Sequence, residues 1–223
     1  MAELPPLSND PEVLTEYTVN LGVDPETFTF AEVFSLDPEF ISMYPPNPKS
    51  LIFLYPYGSK NGPLEKRHQD DPPNTGNEPF YLKQTLENAC GTIAIIHSIA
   101  NNLDSFKLTK DSWLEKYIND NKDKTPEERG EALENDEDVQ DVHETTANDD
   151  TTPFLEDSDS NHFITFVPFE GKLWELDGLK KQPICHGEYD DFFTKVTKII
   201  QEEFYPNVKD PMETSMVLLC KNE

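Results

Sequence analysis

The chain has 223 residues and a formal net charge of −26, which argues against nucleic acid and membrane surfaces as partners, since both would repel it. No apolar run approaches the ~20 residues needed to cross a bilayer, and the start, Met-Ala-Glu-Leu-Pro-Pro, lacks the basic and apolar stretches of a secretory leader. Three cysteines, Cys90, Cys185 and Cys220, form neither a disulfide framework nor a metal-binding spacing, which suits a reducing compartment (cytoplasm, with or without nucleus) and no cofactor.

The length suits one domain with a substantial core. In chain order, Asp10-Pro11 followed by Val13, Leu14, Tyr17 and Leu21, with Gly22 after, predicts a capped helix with a first-position proline and a stop glycine. Asp37-Pro38 opens a second, short helix, and Ser50–Tyr55 reads as a buried strand. Residues 58–78 are polar and rich in Gly, Pro and Asn, which predicts a loop. Helices are expected at about 88–102, 109–119, 125–135 and 136–147. Between Asp120 and Asn161 sixteen acids face three bases, so an excess of thirteen supplies half of the net charge. Any one of these acids is an ordinary solvated group; as a block they suit a basic partner. Residues 148–161 have no apolar period and should form a loop. Residues 162–169 and 172–177 flank Glu170-Gly171, the pattern of a β-hairpin with a two-residue turn. Phe192, Val196, Ile199 and Ile200 give helical spacing to Tyr189–Tyr205, and Met216–Leu219 reads as a last strand.

Chemistry concentrates at four positions. Asn88 is a good N-cap, and would put Cys90 at about the second position of a helix, where free N–H groups and the dipole favour a thiolate. Gln84 lies six residues upstream and could donate, with the Cys90 N–H, to an oxyanion. If Glu170 and Gly171 form the turn, Phe169 faces Lys172 and Ile164 faces Asp177. That register leaves His162 as the diagonal neighbour of Asp177 on one face, ~7–8 Å away at Cα and within side-chain reach. Asp177 could then fix the imidazole tautomer while the other nitrogen serves sulfur. Taken singly each residue has a bland reading: a core cysteine, a strand-edge histidine, a turn aspartate, a linker glutamine. Together they are the parts of a thiol hydrolase. His97, two turns beyond Cys90, reads as a packed core histidine, and none of His68, His143 and His186 is expected to have an acid on a rigid partner strand.

These residues resemble the ubiquitin carboxyl-terminal hydrolases. The resemblance rests on Gln84–Asn102, His162–Gly178, Asp10-Pro11-Glu12-Val13, Thr125-Pro126-Glu127-Glu128-Arg129 and His143-Glu144-Thr145. It implies an α/β fold with a central, mostly antiparallel sheet flanked by helices, a papain-like core and a knotted backbone. It also implies Cys90 as nucleophile, His162 as general base and acid, Asp177 as orienting acid and Gln84 as oxyanion donor. Residues 147–160 correspond to the family's crossover loop, which implies substrate contacts at Ala147, Asn148, Asp149 and Asp150; Pro6, Leu7 and Asp10 lie in the stretch that contacts the ubiquitin tail. The expected activity is cleavage of small or flexible adducts from the C-terminal glycine of ubiquitin, or of a relative such as NEDD8, by a monomer. The alternative is a ubiquitin-sequestering protein with incidental hydrolysis.

Overall fold

The computed structural model describes residues 4–58, 62–149 and 161–223. Helix α1 (Pro11–Leu21) starts as its sequence dictates: Asp10 accepts from the N–H groups of Glu12 and Val13, Pro11 fills the first turn, and Gly22 ends it. Asp37 likewise caps the segment Pro38–Met43, which winds as a 3-10 helix. Further helices are α2 (Pro63–Lys66), α3 (Cys90–Ala100), α4 (Trp113–Asn121), α5 (Pro126–Glu134), α6 (Glu137–Asp149) and α7 (Phe192–Ile199). Helix α7 runs into a π-helical turn, Ile200–Phe204.

Six strands form one sheet: β1 (Phe28–Glu32), β2 (Pro48–Pro56), β3 (Asn161–Phe169), β4 (Lys172–Leu176), β5 (Ile184–Glu188) and β6 (Ser215–Lys221). Their order is β1-β6-β2-β3-β4-β5 and every pairing is antiparallel. Alternation along the central strands sends side chains to both faces. Ile52, Phe163, Val217 and Leu219 pack with α1, α3, α4 and the α5–α6 pair. Leu51, Phe53, Ile164, Phe166 and Leu218 pack with α7 on the other face. Burial on both faces explains the unbroken apolar run Leu51–Ile52–Phe53, where each fully buried side chain contributes ~1.5–3 kcal/mol.

The β3–β4 hairpin has the expected register. Phe169 pairs with Lys172 and Thr165 with Leu176, which carries Ile164 to the position opposite Asp177. Glu170 (φ 48°) and Gly171 (φ 73°) both adopt the left-handed conformation of a type I′ turn, whose twist matches that of the flanking strands. Beneath the sheet a directional chain of buried hydrogen bonds ties three segments to α3. Tyr17 Oη lies 2.8 Å from Thr92 Oγ1, which lies 2.8 Å from His143 Nδ1. His143 Nε2 donates to the Pro5 carbonyl at 2.7 Å, so Nδ1 is the acceptor and burial holds His143 neutral, its pKa below the ordinary value. Removing one partner would strand a buried polar group at ~1–3 kcal/mol.

Candidate active site

Helix α3 starts at Cys90 with no side-chain cap. Here the structure corrects the sequence expectation: Asn88 has φ 58° and its Nδ2 donates to the Leu4 carbonyl at 2.9 Å instead of accepting from the helix. Cys90 is therefore the first helical residue rather than the second, and its N-cap, Ala89, offers no side-chain acceptor to the first-turn amides. The helix lies along β3, where Thr165 Oγ1 donates to the Ala94 carbonyl at 3.0 Å. This brings Cys90 to the strand end that carries His162. His162 Nε2 donates to Asp177 Oδ1 at 2.7 Å, so Nδ1 makes the hydrogen bond with the Cys90 thiol. Asp177 is fully buried, and the same Oδ1 accepts the Leu179 N–H at 2.9 Å. Its carbonyl accepts the Tyr81 hydroxyl at 2.6 Å. Gln84 is brought beside this turn because Gly178 has no side chain: a Cβ there would meet the Gln84 Cβ at 3.1 Å and N at 3.2 Å. The Gln84 N–H donates to the Gly178 carbonyl at 2.9 Å.

The electrostatics favour a thiolate–imidazolium pair. Burial opposes ionisation of Cys90, but the bond to His162, its charge and the N–H groups of Phe163 and Gly91 outweigh it, and the pKa falls below the ordinary thiol value. For His162 burial pulls the pKa down, while the charge and hydrogen bond of Asp177 and the bond to Cys90 raise it well above the usual imidazole value. Burial would raise Asp177; His162, Lys180 and the Leu179 N–H hold it low and ionised. Cys220 shows the opposite case, since burial without a partner base pushes its thiol up to about 11. Cys90, His162 and Gln84 open onto a cleft of about 1130 Å³. Tyr57 and Tyr55 set their rings edge-on to the imidazole, with centroids 5.1 and 6.0 Å away. A polarised thiol, a tautomer-fixed base and amide donors around one cleft are equipped for acyl transfer to sulfur.

Residues 4–205 match the family model described as ubiquitin carboxyl-terminal hydrolase, family 1. The chain belongs to this family. It is 35% identical over 207 residues to ubiquitin carboxyl-terminal hydrolase 3 of Arabidopsis thaliana, covering 91% of this chain and 88% of that protein. A ubiquitin carboxyl-terminal hydrolase of Drosophila melanogaster is 35% identical, covering 96% and 95%. The isozyme L1 of Rattus norvegicus is 30% identical, covering 98% and 99%. Among solved structures, the catalytic domain of Trichinella spiralis UCH37 bound to ubiquitin vinyl methyl ester shares the fold, with a TM-score of 0.79 at 23% identity over 99% of this chain and 96% of that one.

Around this hydrolase's cleft the other sequence expectations divide. His97 is buried as expected; its Nε2 accepts the Leu82 N–H at 3.1 Å, and burial drives its pKa to about 3. The expectation for His186 is corrected: its Nε2 lies 2.9 Å from Glu175 Oε2, an acid on the neighbouring strand. His68 also has acids, with Nδ1 2.7 Å from Asp71 and Nε2 3.2 Å from Glu203. Among the substrate-contact candidates, Pro6 is exposed, Leu7 is buried against Gly91, and the Asp10 carboxylate is engaged in capping α1. Leu7 turns inward because an apolar side chain gains more from the core than from solvent. Ala147, Asn148 and Asp149 are not loop residues but the last turn of α6. Val139, His143, Thr146 and Ala147 keep a helical stripe against the core and extend the helix that far. Asp150 and the rest of the expected crossover loop lie outside the described residues. Residues around the cleft that the sequence did not flag include Tyr57, Glu65, Asn161 and Lys180; only an aromatic run at Tyr55-Pro56-Tyr57 hinted at any of them.

Proposed function

We propose that the chain hydrolyses amide or ester bonds at the C-terminal glycine of ubiquitin, releasing small or flexible adducts through a thioester on Cys90. The observation that carries this reading is the Cys90–His162–Asp177 line, with its 2.7 Å His162–Asp177 bond, open to a cleft that Gln84 also lines. The thiolate attacks the glycyl carbonyl carbon, and the resulting oxyanion is met by the Gln84 amide and the Cys90 N–H. The His162 Nδ1–H protonates the departing amine or alcohol as the carbon–heteroatom bond breaks. His162 then takes a proton from water, which attacks the thioester and frees Cys90. Asp177 keeps the imidazole aligned through both steps.

Ubiquitin as partner is supported by the family and by the ubiquitin-bound Trichinella relative. The small-adduct limit rests on the crossover segment that the family resemblance implies at 147–160. Action in the cytoplasm or nucleus suits three free thiols, and we take the active form to be a monomer. Turnover of ubiquitin carrying a fluorogenic C-terminal amide tests the reading; tight binding with no release would favour sequestration. The same assay with a NEDD8 reporter ranks the two modifiers.

Gln84→Ala is expected to lower kcat by about 10²–10³ with a modest change in KM, the size of one lost oxyanion donor. Steady-state kinetics decide; a large KM rise with kcat unchanged would make Gln84 a binding residue. The acidic block should act as a field that steers a basic partner, screened over ~30 Å at 0.01 M salt and ~8 Å at 0.15 M. Stopped-flow association with ubiquitin should therefore slow as salt rises, while kcat stays flat. An association rate insensitive to salt would return the block to an ordinary solvated face.

A further inference from the structure

One wall of the cleft is made of chain that cannot hold its own shape. Glu65, Lys66, His68, Gln69 and Asp70 line the cleft, yet α2 has four residues and Gly62 caps it with no side-chain bond. A single turn does not persist in water by itself. Leu64 packs its side chain into the core beside α7, and among the described residues polar contacts from opposite sides hold the backbone and Arg67. Lys180, only 7% exposed, donates Nζ to the carbonyls of Leu64 at 2.6 Å and Glu65 at 2.8 Å, the last acceptors of the turn. On the other side Arg67 bonds Glu175, and its Nη1 bonds Glu203 at 2.7 Å. The guanidinium stands 4.0 Å above the Phe204 ring, and His68 Nε2 shares the Glu203 oxygen that Arg67 uses. Lys180 comes three residues after Asp177 and Glu175 two before it, so these two anchors leave from the chain that carries the orienting acid, while Glu203 reaches in from the π-helical turn after α7.

We propose that Lys180 and Glu203 are positioning residues: they strap the 62–70 wall from opposite sides and so fix the groove in which the substrate tail meets Cys90. The proposal rests on the reading of the cleft as a ubiquitin-tail hydrolase site. Neither residue makes or breaks a bond; Glu203 acts through the wall alone, and Lys180 through the wall and through its charge beside Asp177, so the Glu203 variant isolates the wall. A merely stabilising role would lower the melting temperature and leave kcat of the folded fraction alone. Straps that set the groove should act on kcat and spare ubiquitin affinity, because most of a protein–protein interface lies outside one cleft wall.

The test compares Lys180→Met, Glu203→Gln and the double variant in the full chain. Three measurements are needed: kcat on a ubiquitin reporter, ubiquitin Kd in a Cys90→Ala background, and hydrogen exchange by peptide. Each single variant is expected to lose on the order of 10–10² in kcat, the cost of an ångström of misplacement, with Kd within about twofold of the parent. Exchange should rise in 62–70 and nowhere else. The double variant should fall by less than the product of the two singles, since both changes loosen one segment. Single variants with parental kcat and unchanged exchange at 62–70 would overturn the proposal, as would exchange rising throughout the chain. Should Lys180→Met not fold, Glu203→Gln, a shape-conserving change at a half-buried site, decides alone. A parent without turnover would refute the hydrolase reading; exchange at 62–70 would then still uphold or overturn the straps.

Discussion

Replacing Cys90 by alanine is expected to remove hydrolysis by on the order of 10⁶, the scale of deleting a nucleophile, while leaving ubiquitin affinity near that of the parent. In the proposed mechanism the thiol forms the bond to the substrate, but it is one small, half-buried group at the helix start and adds little contact area. Alanine is a good helix former and leaves the α3 backbone unchanged. The mutant should therefore be a folded binding protein without chemistry. Parallel turnover and calorimetric titration check both halves. Retained turnover would mean that another thiol or a different mechanism is at work, and lost binding with an intact fold would mean that Cys90 contributes mainly to recognition.

Asp177→Asn is expected to keep the fold and lower kcat by roughly 10⁴, as loss of the orienting carboxylate does in hydrolase triads. The His162 Nε2–H donates to Asp177 Oδ1, and the Leu179 N–H donates to the same oxygen. An asparagine that turns its NH₂ toward the ring forces the imidazole proton onto Nδ1, the nitrogen that serves sulfur. The pH profile follows in sign. The ion pair is present above the lowered thiol pKa of Cys90 and is lost as pH rises through the raised imidazolium pKa of His162. Asp177 supplies the charge that raises His162, so its removal should pull the alkaline limb of kcat/KM to lower pH and narrow the active window. Measurement of kcat/KM against pH in both proteins decides it. An alkaline limb that stays in place, with a rate near the parent's, would deny Asp177 its orienting role.

What the sequence revealed and what it hid divide along a physical line. The hairpin was derivable because a two-residue turn fixes register locally, and one count from Glu170-Gly171 put Asp177 opposite Ile164 and on the same face as His162. Helix α1 was legible for the same reason, with cap, proline and stop all within its own span. Asn88 misled because its partner is remote: the Leu4 carbonyl draws its side chain away from the helix it would otherwise cap. The Glu175–His186 pair stayed hidden because β5 does not read as a strand; Gly187 at φ 76° and a register shift against β4 break its alternation. Strand β1 did alternate, with Phe28 and Phe30 inward, but five residues gave too short a run to stand out. Segment 62–70 reads as plain loop, since its polar anchors, Lys180, Glu175 and Glu203, lie more than a hundred residues away. A knotted backbone entered only through family resemblance, because periodicity reports faces and says nothing of threading.

We propose Cys90, alone among the three cysteines, as the activated thiol of a ubiquitin-tail hydrolase. Incubation with ubiquitin bearing a C-terminal vinyl methyl ester, followed by peptide mass mapping, tests it most directly. A single stoichiometric adduct on Cys90, abolished by Cys90→Ala and strongly slowed by Asp177→Asn, is the expected result. An adduct on Cys185 or Cys220, or no adduct on the folded protein, would contradict it.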